Sequence, residues 1–304
     1  MIDMHYDLLT ISYICYLNND FTMLKKINKE IKNNNVKYIF ANLCFLDKET
    51  MKKELHELYY QDSVSVIEMF KISINILNKY IKKVNFVYCI EGCGYLSIDD
   101  LDKLYVLGLK SIILTWNDKN IYGSGISTNK DLSKKGKKFI NRAIDLNIGI
   151  DLSHTNLKTF NSILKILKKR KKSIYYISHS NIRALENRKR NLSNKQLIKL
   201  RKQNCKLGLF FNKNFIDRKS DNLKESYLRH IVYAVNYLGI DNVMISSDDM
   251  RFCSEKNPIY NDLSIFNYNN LYDELYKLLK TEYTELQVKK IMYGNAYQIV
   301  KKLK

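Results

Sequence analysis

Proline is nearly missing from this sequence: Pro258 is the only one in 304 residues, and no low-complexity linker divides the chain. Glycine is also scarce, at 10, and none of it forms a G-x-G-x-x-G or phosphate-loop stretch. That lack removes the usual support for a nucleotide-binding open sheet. No run of eighteen or more apolar residues occurs, so no membrane-spanning helix is expected. The N-terminus lacks a basic segment followed by an apolar one, so no signal peptide is expected either. The six cysteines (Cys15, Cys44, Cys89, Cys93, Cys205 and Cys253) have no framework of close spacings. Most lie in apolar stretches such as YIFANLCF, where a free thiol acts as a small buried hydrophobe. A reduced, cytoplasmic protein follows from that usage. Cys89 and Cys93 lack the second close pair that a cysteine-based metal site needs.

What is present in excess is Lys, Asn, Ile and Tyr, the bias an AT-rich coding sequence imposes. The formal charge of +20 suggests nucleic acid at first sight. The lysines, however, are spread over every helix-like segment, which is the pattern of a solvated surface. A hydrophobic content of 45% over 304 residues is enough for a sizeable core. The length suits one α/β barrel or a two-domain protein.

Eight short apolar, β-branched or aromatic runs recur along the chain, at residues 1–7, 36–43, 84–92, 111–117, 148–154, 174–180, 206–211 and 242–249. Between them lie stretches of helical period. One places Phe139, Ile140, Ala143 and Ile144 on one face, and another does so with Phe160, Ile163, Leu164 and Leu167. A helical tail over residues 284–304 closes the chain. Near-continuous apolar strands alternating with helices describe a parallel sheet covered on both faces. Eight of them in this length give a (β/α)₈ TIM-type barrel, a single domain over residues 1–304 with a C-terminal helical tail. A doubly wound open sheet is the alternative.

Polar residues interrupt these runs at one place, their C-terminal ends: His5 and Asp7, Glu91, His154, His179 and Asp248. The chain has only five histidines, and three of them fall there. In a barrel those ends converge on the mouth where active sites are built. A single histidine so placed is most simply a satisfied core residue, but five strands repeating the placement point to a metal site. Alternation along a strand puts His5 and Asp7 on one face. His5, Asp7, Glu91, His154 and His179 are more ligands than one tetrahedral zinc needs, and suit two cations with Glu91 bridging. Asp248, not a ligand in this scheme, would carry the proton of the attacking water to the leaving group. His56 and His230 lie in helical stretches and are read as structural.

The ordered set DMHYDLL, IEGCGYL, LDKLYVLGLKSIILTWN, LSKKGKKFINRAIDLNIGIDLSH, YYISHSNIRAL, RKRNLSNKQL and GIDNVMISSDD resembles the renal (membrane) dipeptidase family, the M19 metallopeptidases, over nearly the whole chain. The resemblance implies a (β/α)₈ barrel with two zinc ions held by His5, Asp7, Glu91, His154 and His179. It also implies Asp248 at the catalytic water and Arg190 as the guanidinium that binds the substrate carboxylate. The chain departs from the family pattern at three points. Trp116, its only tryptophan, stands where the family has a substrate-contacting histidine. Phe215 replaces a tyrosine, and the glycine expected after the final aspartates is missing from SDDMRF. The secretion and lipid anchoring of the animal members do not carry over.

The expected function is therefore hydrolysis of dipeptides by a hydroxide bridging two zinc ions, with Trp116 and Arg190 contacting substrate. Other readings are hydrolysis of another small amide or modified peptide, a metal-dependent nuclease, and a non-catalytic metal-binding homologue. The expected partner is a dipeptide or small amide, with neither nucleic acid nor membrane, and a homodimer is the candidate assembly.

Overall fold

The structure, a computed structural model, describes residues 1–46, 49, 64–249 and 264–304. Eight parallel strands pair in chain order: β1 Ile2–Tyr6, β2 Tyr38–Cys44, β3 Asn85–Glu91, β4 Leu109–Ile113, β5 Gly149–Asp151, β6 Tyr175–Ile177, β7 Lys206–Phe210 and β8 Val243–Ser246. A doubly wound sheet reverses its strand order partway, and this one does not. The two outer strands also meet. The Asp248 N–H donates to His5 O at 3.0 Å, and the Ser247 N–H donates to Asp3 Oδ1 at 2.8 Å. The result is a nearly closed barrel.

Helices cover the outside, and their starts follow from the sequence. Ser65, Ser133 and Asn156 each accept a backbone N–H from the first turn of the helix that follows. Such caps satisfy donors that a helix end leaves unpaired. The helix over Leu8–Asn18 has no counterpart in the sequence reading. Leu8 to Tyr13 are all buried, so the first turns are enclosed on every side and show no apolar stripe to recognise.

The expected helical tail is present but broken. Glu285–Lys289 and Asn295–Leu303 are α-helical, with a π-helical turn at Lys290–Gly294 between them. Ile299, Val300 and Leu303 pack in the same apolar cluster as Ile2, Met4, Val87 and Met244. The Asn295 amide donates to Val243 O, and the Asn147 amide donates to Lys302 O. These contacts fall at strand starts, so the tail plugs the end of the barrel opposite the mouth.

Cys15, Cys44, Cys89, Cys93 and Cys205 are free and buried. The Cys89 and Cys93 thiols each donate to a backbone carbonyl, of Val87 and Ile113. His56, Cys253 and the SDDMRF positions after Asp249 lie outside the described residues. Among the described residues no helix is long and apolar enough to cross a membrane.

Candidate metal centre

The strands are shorter than the apolar runs that announced them, and this changes how the site is built. Glu91 is the last residue of β3 and continues the inward row of Val87 and Cys89. His5 sits in β1, but the row of Ile2 and Met4 should next turn Tyr6 inward. The β1–β2 register shifts between Asp3 and Tyr6, and Tyr6 packs in the outer cluster instead. Such irregularities re-aim side chains beside functional sites, and His5 is the side chain delivered to the mouth. Asp7 is therefore not on a strand with His5, as alternation required. It precedes the Leu8–Asn18 helix and makes no side-chain capping bond to it. His154, His179 and Asp248 likewise follow their strands. His154 and Asp248 take left-handed backbone angles, φ 63° and 47°, a region costly for non-glycine residues and concentrated at functional sites.

All these side chains meet. His5 Nε2 lies 3.4 Å from Glu91 Oε2 and 3.7 Å from both Asp7 Oδ1 and Asp248 Oδ1. His154 Nε2 lies 2.9 Å from Glu91 Oε1 and 3.0 Å from His179 Nε2. Glu91 thus turns one oxygen to His5 and the other to His154. Atoms of His5, Glu91 and His179, and separately of His5, Asp7 and Asp248, converge closely enough to share an ion. Asp248 is the most open carboxylate, its side chain 16% exposed against 4% for Glu91.

The fit to a cation is visible in the hydrogen bonding. Among the described residues, His5 Nδ1 and Nε2, Asp7 Oδ1 and Glu91 Oε1 are buried without a hydrogen-bond partner. Buried polar atoms are rarely left so. The His154 Nδ1–H donates to Asn117 Oδ1 at 3.0 Å, which leaves Nε2 a lone pair. With His154 in that tautomer, its Nε2 lone pair faces Glu91 Oε1 and His179 Nε2 at close range.

Electrostatics agree. Burial pushes the His5 imidazole down, but Glu91, Asp7 and Asp248 outweigh it and hold the group at about 10. Such a site keeps a positive charge there, a proton in the absence of a cation. Burial lowers His154 to about 4 and His179 well below the ordinary value, so both are neutral donors. Burial raises Asp7 and Asp248. Glu91 is held low because His154 and His5 outweigh its burial.

Behind the centre lies a chain of hydroxyls that sequence reasoning missed. Ser178 Oγ is 2.7 Å from His179 Nδ1 and 3.2 Å from Ser153 Oγ, and Ser153 Oγ donates to Asp151 Oδ1 at 2.8 Å. A consistent polarity runs His179 Nδ1–H to Ser178, Ser178 to Ser153, and Ser153 to the Asp151 carboxylate. The available signal was the repeated Ser-His pair, Ser153–His154 and Ser178–His179.

Arg190 is buried beside the centre, 5.7 Å above the Phe210 ring, and its Nη2 donates to His179 O at 2.7 Å. Burial lowers its pKa, while the charges of Asp248, Glu91 and Asp151 favour its protonated form. Phe215 packs against Phe210 at 5.2 Å with the rings tilted by 40°, and Phe210 meets His179 edge-on. Trp116 lies across the mouth, its ring 6.2 Å from that of His154 and tilted by only 27°. His230 is apart from all of this. Its Nδ1 accepts from the Ile182 N–H, and its Nε2–H donates to Ile216 O.

Fold and cluster together define a β/α barrel with an imidazole–carboxylate centre at its C-terminal mouth. The chain belongs to the membrane dipeptidase family, peptidase family M19, whose model matches residues 50–304. An uncharacterised protein in the pqqA 5′ region of Klebsiella pneumoniae is 32% identical over 181 residues, 55% of this chain and 65% of that protein. The chain spans about half to two thirds of the length of the curated relatives it matches. A metallopeptidase from Rhodobacter sphaeroides, solved with a phosphinate mimic of L-Ala-D-Ala, shares the fold with a TM-score of 0.77 at 18% identity, covering 100% of this chain and 99% of its own. Dipeptidase AC, of family M19, gives 0.75 at 19% identity, covering 99% and 97%.

Proposed function

We propose that this chain is a metal-dependent dipeptidase, one domain over residues 1–304, that cleaves the amide bond of a dipeptide. The observation that carries the reading is the set of buried, unpartnered lone pairs of His5, Asp7 and Glu91, facing His154 and His179. Imidazole and carboxylate donors in this mixture suit zinc. His5 and Asp7 would hold one ion, His154 and His179 a second, and Glu91 would serve both. Bound there, divalent cations supply Lewis acidity, acidifying water and neutralising charge that develops on the amide oxygen.

The remaining steps belong to the protein. Asp248, the most open carboxylate, accepts a proton from water and returns it to the departing nitrogen. Arg190 has already spent one N–H on His179 O, which fixes its fork beside the centre. Its other N–H groups suit a bidentate hold on the terminal carboxylate. Trp116 walls the opposite side and excludes water from it.

Metal analysis of purified protein should find about two zinc ions per chain, and a dipeptide panel should show metal-dependent cleavage. Protein that binds no divalent metal overturns the mechanism. A second reading, cleavage of another small amide, is favoured by the apolar Trp116 beside His154 and the apolar Phe215 against Phe210. In it, amides other than dipeptides turn over faster than any member of the panel. A non-catalytic metal-binding homologue would load metal and cleave neither. Trp116→His distinguishes that case, since it restores dipeptide cleavage only if the rest of the machinery is competent.

A further inference from the structure

Beside the centre, a cleft of about 240 Å³ opens between the loops that follow β2, β3 and β4. Three aromatic rings, Phe45, Tyr95 and Trp116, line it together with the polar Asp118, Lys119 and Asn120. Phe45 and Tyr95 meet edge to face at 5.4 Å. Tyr95 and Ile121, also lining residues, are 51% and 54% exposed. The cleft adjoins the centre at two residues. Gly92 follows Glu91 directly, and Trp116 has its ring against His154.

The walls are fixed by close backbone approaches. A Cβ on Gly92 would fall 2.3 Å from Phe45 O, and one on Gly125 would fall 1.9 Å from Trp116 O. The loop after β3 is thus held against the loop after β2, and the loop after β4 is folded tightly on itself, both at glycines. Arg190 lies across the centre, on the side of β6 and β7. A dipeptide whose carboxylate rests on Arg190 extends its amino-terminal residue toward Trp116.

We infer that this aromatic cleft is a specificity subsite that takes a flat apolar side chain, phenylalanine-like, on the residue amino-terminal to the scissile amide. This rests on the dipeptidase reading above for the direction of the substrate. Aromatic walls select planar apolar groups by offset and edge-to-face packing. A hydrophobic pocket also separates side chains of different size by roughly tenfold or more.

Trp116 is the chain's only tryptophan, so its fluorescence reports occupancy of the cleft without turnover. The probes are L-phenylalaninol and L-alaninol, which carry the ammonium and side chain of an amino-terminal residue and no cleavable amide. Titrated into the metal-loaded protein, phenylalaninol should give a saturable change in emission with a Kd about tenfold or more below that of alaninol. Calorimetry with Tyr95→Ala, which keeps Trp116, should shrink that ratio toward one. Calorimetry reads binding independently of the Trp116 emission. Equal affinities in the wild type, or an unchanged ratio in Tyr95→Ala, overturn the subsite. A strong phenylalaninol preference in a protein that cleaves no dipeptide keeps the subsite and overturns the dipeptidase reading. Cleavage of Phe-Xaa and Ala-Xaa with equal kcat/KM and equal probe affinities does the reverse.

Discussion

His154 Nε2 and His179 Nε2 face each other 3.0 Å apart, with both Nδ1 atoms held by oxygen, Asn117 Oδ1 at 3.0 Å and Ser178 Oγ at 2.7 Å. The amide oxygen of Asn117 can only accept, which fixes the tautomer of His154. The Ser178–Ser153–Asp151 chain favours the same tautomer at His179. Two imidazoles oriented this way are prepared as donors to a single cation. Partners behind a ligand commonly contribute 10- to 100-fold in metal affinity. Ser178→Ala and Asn117→Ala should each weaken zinc binding by about that factor, with an unchanged far-UV circular dichroism spectrum. Competition with a chromogenic chelator measures it, and Ser178→Thr, which keeps the hydroxyl, should recover most of the loss.

Asp248 stands 3.7 Å from His5 Nε2, as near to it as Asp7 does, yet its side chain is more exposed. A proton carrier needs that access to water, and a ligand does not. Asp248→Asn keeps the shape and removes the base. Its kcat should fall about 10²- to 10⁴-fold, with KM little changed and zinc content kept at the wild-type level. Loss of one ion in this variant would place Asp248 among the ligands instead.

The barrel was legible because its strands are buried on both faces, and the run at 148–154 announces β5 plainly although the strand covers only Gly149–Asp151. The helix over Leu8–Asn18 was not legible, since its first six residues are all buried and erase the period there. At the site, the residue types at the strand ends named side chains that the fold does bring together, but Asp7 lies beyond β1 and not on it with His5. Alternation continued from Met4 would have turned Tyr6 toward the barrel axis. The register shift that brings His5 round instead depends on pairing with β2, and no local pattern encodes it. Ser178 and Asn117 escaped notice because their role exists only across strands.

Gly208 lies in β7 at the point of closest approach to β6, where an added Cβ would sit 1.8 Å from Ser178 O. That carbonyl belongs to the residue holding His179, so the two strands cannot part without moving a candidate ligand. Gly208→Ala should cost on the order of 3 kcal/mol of stability, read as a lowered urea midpoint. The protein that stays folded should also show weakened zinc binding. By contrast, Gly239→Ala has open space around its Cβ and meets only the strain of φ 83°, so its zinc affinity should match the wild type.

His230 provides a test of stability remote from the centre. Burial lowers its imidazole to about 4 from the ordinary 6.5, with Arg229 lowering it further and the Ile216 carbonyl, Asp217 and Glu186 opposing. Its Nδ1 accepts from the Ile182 N–H, so a proton there would break the bond. Between pH 6.5 and 4 the unfolded chain binds a proton at this position and the folded chain does not. The contribution of neutral His230 is therefore complete above about pH 6.5 and declines as the pH falls toward 4, by about 3 kcal/mol in total. His230→Gln removes the titration. Urea unfolding at pH 7.5 and at pH 4 should show the wild type losing about 3 kcal/mol more than the variant over that interval. Equal losses in the two proteins would mean that His230 is already charged in the fold.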